Sequence, residues 1–237
     1  RLYRVSLRDR KAIDEVFDEL TQQGRLSPAP PGTACGWPVF VVYRNGKPRP
    51  VVDLRQLNDV VDPDAYPLPS PDELRERLAG AEYIMTFDLR KAFYQMPLHP
   101  DDRWKATVLT HRGQETLACT IMGQSRSVAF LQRVLTNAFR AAGLAEAAFV
   151  YVDDFGVRSR TIAEHERHVR AVLAVIQELG LTLAQDKAHV ARREVPLLGH
   201  LVSGKGTRTT PAKCEAIHAI PYPSTLNQLE HVVGFFS

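Results

Sequence analysis

Cysteine is scarce: Cys35, Cys119 and Cys214 stand far apart and form no CxxC pair. A zinc site and a disulfide framework are therefore unsupported, and three unrelated thiols in a reducing compartment fit best. No apolar run approaches the roughly 20 residues that a membrane span requires, so no membrane partner is expected. No charged-then-apolar leader is visible, and a low-complexity tract and an internal repeat are missing, which leaves disordered and solenoid readings without support. Charge of one sign is nearly balanced, at a net +3 with a pI near 8.8. That excess tilts toward a polyanionic partner without separating nucleic-acid enzymes from many other classes.

At 237 residues the chain can bury a sizeable core, as one large domain or two smaller ones sharing an interface. Sixteen Pro and fourteen Gly predict many turns between short elements. Ile13, Val16, Phe17 and Leu20 recur at helical spacing, so a helix is expected over 7–23. The apolar run 39–43, Asn45-Gly46 and the stretch 49–53 read as a β-hairpin with Arg44, Lys47 and Arg49 near its tip. Ser70-Pro71-Asp72-Glu73 reads as a helix start, with Leu74 and Leu78 inward. Residues 83–87 read as a buried strand that ends on Asp88, and 147–152 as another. Asp153-Asp154 is expected in the turn toward a partner strand over 155–158. A helix is predicted over 127–140, and a second after Thr161 with Ile162, Val169, Leu173 and Ile176 as its buried stripe. Short strands over 181–183 and 195–201 follow. Strands and helices mix without regular βαβ alternation, which favours an α+β fold: an antiparallel sheet with helices packed on one face.

The carboxylates carry the chemistry. Asp88 and Asp153-Asp154 stand at the ends of hydrophobic strands, where an unpaired charge costs several kcal/mol. Several such groups on one edge repel one another, and a divalent cation resolves the conflict. Hard oxygen ligands suit Mg²⁺, and two ions about 3.5–4 Å apart can clamp the attacking and leaving oxygens of a phosphoryl transfer. Taken alone, the tetrapeptide Tyr151-Val-Asp-Asp154 is better explained as a solvated Asp-Asp turn, so the reading rests on what surrounds it.

An ordered series of motifs resembles the reverse transcriptase domain of LTR retroelements, especially gypsy-type retrotransposons and, more distantly, retroviruses and pararetroviruses. Arg49-Pro-Val-Val-Asp-Leu-Arg-Gln-Leu-Asn58 resembles the family's R-x-x-x-D-[FLY]-R-x-L-N motif of the fingers, and Tyr66-Pro-Leu-Pro69 its YPLP segment. Phe87-Asp-Leu-Arg-Lys-Ala-Phe-Tyr-Gln95, followed by Pro97-Leu-His-Pro100, resembles the first catalytic motif. Tyr151-Val-Asp-Asp154 resembles the second. Asp186-Lys187 falls where the family has its palm lysine, and Leu198-Gly199-His200 where it has the primer grip.

The resemblance implies a right-hand polymerase with an antiparallel palm sheet backed by helices. Residues 1–80 would form the fingers, 81–209 the catalytic palm with part of the fingers, and 210–237 the start of a thumb or connection. The chain is expected to be a segment of a longer Pol polyprotein, with the rest of the thumb, RNase H, protease and integrase outside it. The implied activity is RNA-directed DNA polymerisation with dNTPs on an RNA or DNA template-primer. Its cofactor would be two Mg²⁺ ions, or Mn²⁺. Asp88 and Asp153, assisted by Asp154, would hold the metals, and Lys187 would act as general acid. Arg49, with Arg44 or Lys47, would grip the triphosphate, while Gly123 and Val152 line the nucleotide pocket. Phe93, five residues after Asp88, would be the steric gate against a 2′-hydroxyl. Tyr151, Leu198, Gly199 and His200 would touch the template-primer.

Core packing for Phe93 and solvation for Arg44, Lys47 and Lys187 are the plain alternatives. Cytoplasmic virus-like particles are the implied location.

One region departs from the pattern. Where gypsy-type elements read MPFGLxNAPxxFQ, this chain reads Thr120-Ile-Met-Gly-Gln-Ser-Arg-Ser-Val-Ala-Phe-Leu-Gln132, with Gly123, Ala129 and Gln132 kept. Arg126 and Ser127, near a helix start, are candidates for holding a backbone phosphate. The departure keeps a rival reading in play, a non-catalytic nucleic-acid-binding remnant.

Overall fold

Three sheets organise residues 3–236, which the computed structural model describes. Arg1, Leu2 and Ser237, the outermost residues of the expected fingers and thumb segments, lie outside that range. Helix α1 (Leu7–Gln22) starts at a capping box in which Ser6 and Asp9 satisfy each other's backbone amides, and it buries Ile13, Phe17 and Leu20. These side chains pack on a five-stranded sheet. It contains β1 (Leu26–Pro28), β2 (Trp37–Arg44), β3 (Lys47–Val52), β5 (Thr107–Thr110) and β6 (Gly113–Leu117), in the order β1-β6-β5-β2-β3. Its β2–β5 pairing is parallel. Asn45 and Gly46 both take positive φ, as the two-residue turn of the β2–β3 hairpin demands. Helices α2 (Arg55–Val60) and α3 (Pro71–Leu78) lead out of it, α3 starting at the expected Ser70 cap.

The central sheet has the order β7-β8-β4-β9 and is wholly antiparallel. Its strands are β4 (Tyr83–Asp88), β7 (Ala148–Tyr151), β8 (Asp154–Ser159) and β9 (His189–Arg192). Met85, Phe87, Val150, Phe155 and Val157 face α4 (Ser125–Ala141) and α5 (Ile162–Glu178), against Leu131, Leu135, Phe139, Val172 and Ile176. The opposite face, with Ile84 and Phe149, is covered by Leu74 and Leu78 of α3 and by a three-stranded sheet of β10 (Glu194–Leu197), β11 (His200–Ser203) and β12 (Gly206–Thr209). Burial on both faces explains why 83–87 reads as nearly unbroken hydrophobicity instead of alternation. Gly156 is obligatory here: a Cβ would lie 2.3 Å from the Met85 carbonyl and 2.5 Å from the Phe149 ring. Helices α6 (Pro211–His218) and α7 (Leu226–Phe236) close the chain.

Three local expectations change. Along α5 the buried positions are His165, Val172, Val175 and Ile176, while Ile162 and Leu173 are exposed. The helix is rolled so that His165 reaches Ser159, a polar contact that a hydrophobic count does not register. The stretch 195–201 is not one strand but a hairpin, turning at Leu198 and Gly199, both with positive φ. In 181–183 only Leu183 bridges, to Leu89, so no regular strand forms there.

Candidate active site

Paired residues on adjacent strands share a face of a sheet. Asp88 pairs with Asp154, and Asp154 pairs with Tyr151, so the three form one row across the end of the central sheet. The turn between β7 and β8 is Val152-Asp153, not Asp153-Asp154 as expected: Asp154 already belongs to β8. Val152 has φ +60. Positive φ at the first of two loop positions is the arrangement that normally takes glycine, and a β-branched residue there is strained.

Gln132, buried on α4, holds this turn. The Val152 amide donates to Gln132 Oε1 at 2.7 Å, and Gln132 Nε2 donates to the Val150 carbonyl at 3.0 Å.

The carboxylates feel each other. Burial, then the charges of Asp153 and Asp88, push Asp154 up to about 6, with Lys187 offsetting part of the rise. The Lys187 ammonium donates to Asp88 Oδ2, and that bond, with the charges of Asp88, Asp186 and Asp153, holds the lysine above its ordinary value against the opposing effect of burial. Among the described residues no three His, Cys, Asp or Glu side chains cage a metal ion by themselves. The donor set nonetheless fits Mg²⁺, which takes one or two carboxylates and completes its shell with substrate phosphates and water. Accumulated negative charge on one edge is what such an ion would neutralise.

The β2–β3 register pairs Arg44 with Lys47 and Val42 with Arg49, which puts Arg44, Lys47 and Arg49 on one exposed face of the hairpin. Tyr43 lies on the other face, donating to Asp9 of α1 at 2.7 Å. Phe93 sits half-buried in a 3-10 turn (Ala92–Gln95) against the central core, its carbonyl accepting from Thr120 Oγ1 at 2.6 Å. Gly123 takes φ +101 beside the Val52 carbonyl. Asn58 fixes that loop, donating to the Gly123 carbonyl at 2.8 Å and accepting the Ser125 amide at 3.0 Å. Tyr151 and Leu198 pack on the same core cluster, so the β10–β11 turn with Gly199 and His200 lies toward the Tyr151 face of the sheet.

The expected phosphate pair does not present itself. Arg126 Nε is engaged with the Asp62 carbonyl at 2.5 Å, and Ser127 is buried with its hydroxyl unpartnered. The helix begins at Ser125 instead of 127, so Ser127 lies buried within its first turn.

Gln132, Asn58 and Gln95 had no assigned role in the sequence, although each ends a recognisable motif. An uncharged polar residue closing an otherwise hydrophobic or catalytic motif was the available signal.

Residues 41–202 match the family described as reverse transcriptase (RNA-dependent DNA polymerase). The Pol polyprotein of the Drosophila melanogaster transposon opus is 29% identical over 241 residues, covering 99% of this chain and 24% of the relative. The Pol polyprotein of transposon gypsy from the same fly is 29% identical over 232 residues, 95% of this chain and 22% of the relative. This chain thus spans about a quarter or less of the length of these relatives. The foamy viral protease-reverse transcriptase, solved in complex with double-stranded DNA, superposes with a TM-score of 0.89 at 25% identity, covering 100% of this chain and 41% of that one. An antiparallel sheet ending in Tyr151, Asp154 and Asp88, and a match over most of its length, tell what this is: the chain belongs to the reverse transcriptase (RNA-dependent DNA polymerase) family.

Proposed function

We propose that this chain is the fingers-and-palm part of an RNA-directed DNA polymerase, extending a primer 3′-hydroxyl with dNTPs along an RNA or DNA template. The observation that carries the reading is the row of Asp88 and Asp154 beside Asp153, three carboxylates on one sheet edge where burial, then the charges of its neighbours, raises Asp154. Residues 1–80 would serve as fingers, 81–209 as palm and 210–237 as the start of the thumb, within a longer Pol polyprotein that assembles in cytoplasmic virus-like particles.

Asp88, Asp153 and Asp154 would hold two Mg²⁺ ions, with Mn²⁺ as substitute. Bound there, such ions supply Lewis-acid stabilisation of the attacking and leaving oxygens. The chain supplies the rest. Arg49, flanked by Arg44 and Lys47, binds the triphosphate with a planar guanidinium. Phe93 excludes a 2′-hydroxyl by bulk, while Gly123 and Val152 line the nucleotide site. Lys187 keeps a proton at Nζ beside Asp88 and gives it to the departing pyrophosphate. Tyr151, Leu198, Gly199 and His200 seat the primer strand. Arg126 reaches a backbone phosphate only on leaving Asp62.

Primer extension on an RNA template with dNTPs and Mg²⁺ or Mn²⁺, beside the Asp153→Asn variant, tests the reading. Extension that vanishes in the variant supports it. Normal extension by the variant would refute the metal assignment. Template-primer binding with no extension by either protein would replace it with a non-catalytic nucleic-acid-binding remnant.

A further inference from the structure

We propose that Gln95 is a positioning residue that sets Lys187 against Asp88 through a clasp on the Thr182 backbone; the proposal rests on the polymerase reading above. After α5 the chain returns along 181–184 beside the first catalytic motif without joining the central sheet. Two backbone bonds run between the segments: the Arg90 amide donates to the Thr182 carbonyl at 3.0 Å, and the Ala184 amide to the Asp88 carbonyl at 2.8 Å. Gln95, the last residue of the 3-10 turn, adds the rest. Its Oε1 accepts the Thr182 amide at 2.6 Å, and its Nε2 donates to the Thr182 carbonyl at 3.0 Å and the Arg90 carbonyl at 2.5 Å. One side chain therefore takes the place of a missing strand neighbour for Thr182.

The consequence lies five residues further on. A second 3-10 turn (Gln185–Lys187) starts directly after Ala184 and delivers Lys187 to Asp88. The Lys187 side chain is 61% exposed, so its placement comes from the backbone that carries it. The two segments form the walls of an open cleft of about 780 Å³, lined by Leu89, Arg90, Lys91 and residues 182–187. The clasp fixes the separation of those walls. The other flank of the first 3-10 turn is anchored too: Lys91, at φ +51, pairs with Glu19 of α1 at 2.5 Å.

A carboxamide suits this position chemically. It offers an acceptor and two donors on one planar group, matching an amide and two carbonyls. Being neutral, it adds no charge beside Asp88, Asp153 and Asp154. A glutamate keeps the acceptor for the Thr182 amide, loses both donors and brings a further negative charge.

The test compares Gln95→Ala, Gln95→Glu, Lys187→Ala and the Gln95→Ala/Lys187→Ala double variant. Hydrogen exchange should accelerate over residues 182–187 in Gln95→Ala while the melting temperature holds. Single-turnover incorporation should fall roughly ten- to a hundredfold with the KM for dNTP little changed, because only the reacting geometry is disturbed. In the Lys187→Ala background the Gln95 substitution should cost nothing further, and Gln95→Glu, whose carboxylate faces the Thr182 and Arg90 carbonyls, should fall at least as far as Gln95→Ala. Unchanged exchange over 182–187, or losses that add fully in the double variant, would overturn the proposal. Absence of extension by the wild type would instead sink the polymerase reading, and the exchange measurement would still decide whether Gln95 holds the segment.

Discussion

Gln132 and Val152 are joined across the turn that carries Asp153, the Val152 amide donating to Gln132 Oε1 at 2.7 Å. The same carboxamide donates to the Val150 carbonyl on the near side of the turn. A β-branched residue at φ +60 stores about 1–3 kcal/mol of strain and persists only where its surroundings over-determine it. The buried amide of Gln132 is that restraint.

Gln132→Leu should therefore leave the Val152 amide and the Val150 carbonyl without their partner, destabilising the protein by about 1–3 kcal/mol. Primer extension should fall by more than the stability loss explains, because Asp153 is no longer held. Val152→Gly in the same background should recover stability by relieving the strain. Denaturant melts of the two variants decide this, and a neutral Gln132→Leu would count against the restraint.

Asp154 gives a prediction with a definite sign. Its folded value of about 6 lies above the ordinary 3.8, so the folded chain holds this proton longer than the unfolded chain. The stabilising contribution of that proton is lost as pH rises from about 4 through 6, and at pH 7.5 the ionised group opposes folding. Asp154→Asn should raise stability at pH 7.5 in EDTA by about 1 kcal/mol, a figure reduced for partial exposure. Added Mg²⁺ should raise the melting temperature of the wild type more than that of the variant. Equal shifts would disconnect Asp154 from the metal.

His165 has the opposite sign. It is buried, its Nδ1 lies 3.2 Å from Ser159 Oγ, and His168 Nδ1 lies 3.0 Å from the same hydroxyl. Burial, then the neighbouring His168, hold its imidazole below the ordinary 6.5. The unfolded chain takes up this proton first, so the stability is complete above about pH 6.5 and declines as pH falls below it. Between pH 7.5 and 5 the wild type should lose more melting temperature than His165→Gln. Parallel losses would show that another group carries the acid sensitivity.

Gly156 is set by close approach alone, since its φ lies outside the positive range. Gly156→Ala drives a methyl group into the Met85 carbonyl and the Phe149 ring. Overpacking of this severity should cost about 3 kcal/mol or more and disturb the β4–β8 pairing that aligns Asp88 with Asp154. Chemical denaturation and primer extension should both report the loss.

Much of the candidate site was legible in the chain. Asp88, Asp153 and Asp154 stood out because a carboxylate at the end of a buried hydrophobic strand needs a reason. Asn45-Gly46 announced the basic hairpin because few other dipeptides accept positive φ twice. Capping at Ser70 and Thr161 fixed two helix starts, with Glu73 closing a full capping box while Glu164 takes the Arg160 amide instead of that of Thr161. The stripe of α5 misled because a hydroxyl on β8 draws His165 inward, a contact that the spacing of apolar residues does not contain. Arg126 looked free because its partner, Asp62, is distant in sequence.

The sequence by itself determined which residue types stand at strand ends, turns and caps, since those choices rest on backbone sterics and local hydrogen bonding within a few residues. It also carried the ordered motifs that mark the family. Only the tertiary structure decided the register that aligns Tyr151, Asp154 and Asp88 in one row, and the turn that lifts Asp153 out of the strand. It alone showed that Gln132, Asn58 and Gln95 each hold a backbone segment from another part of the chain. The reason is physical: cross-strand register and side-chain-to-backbone contacts join residues tens of positions apart, and local pattern has no term for a partner that distant.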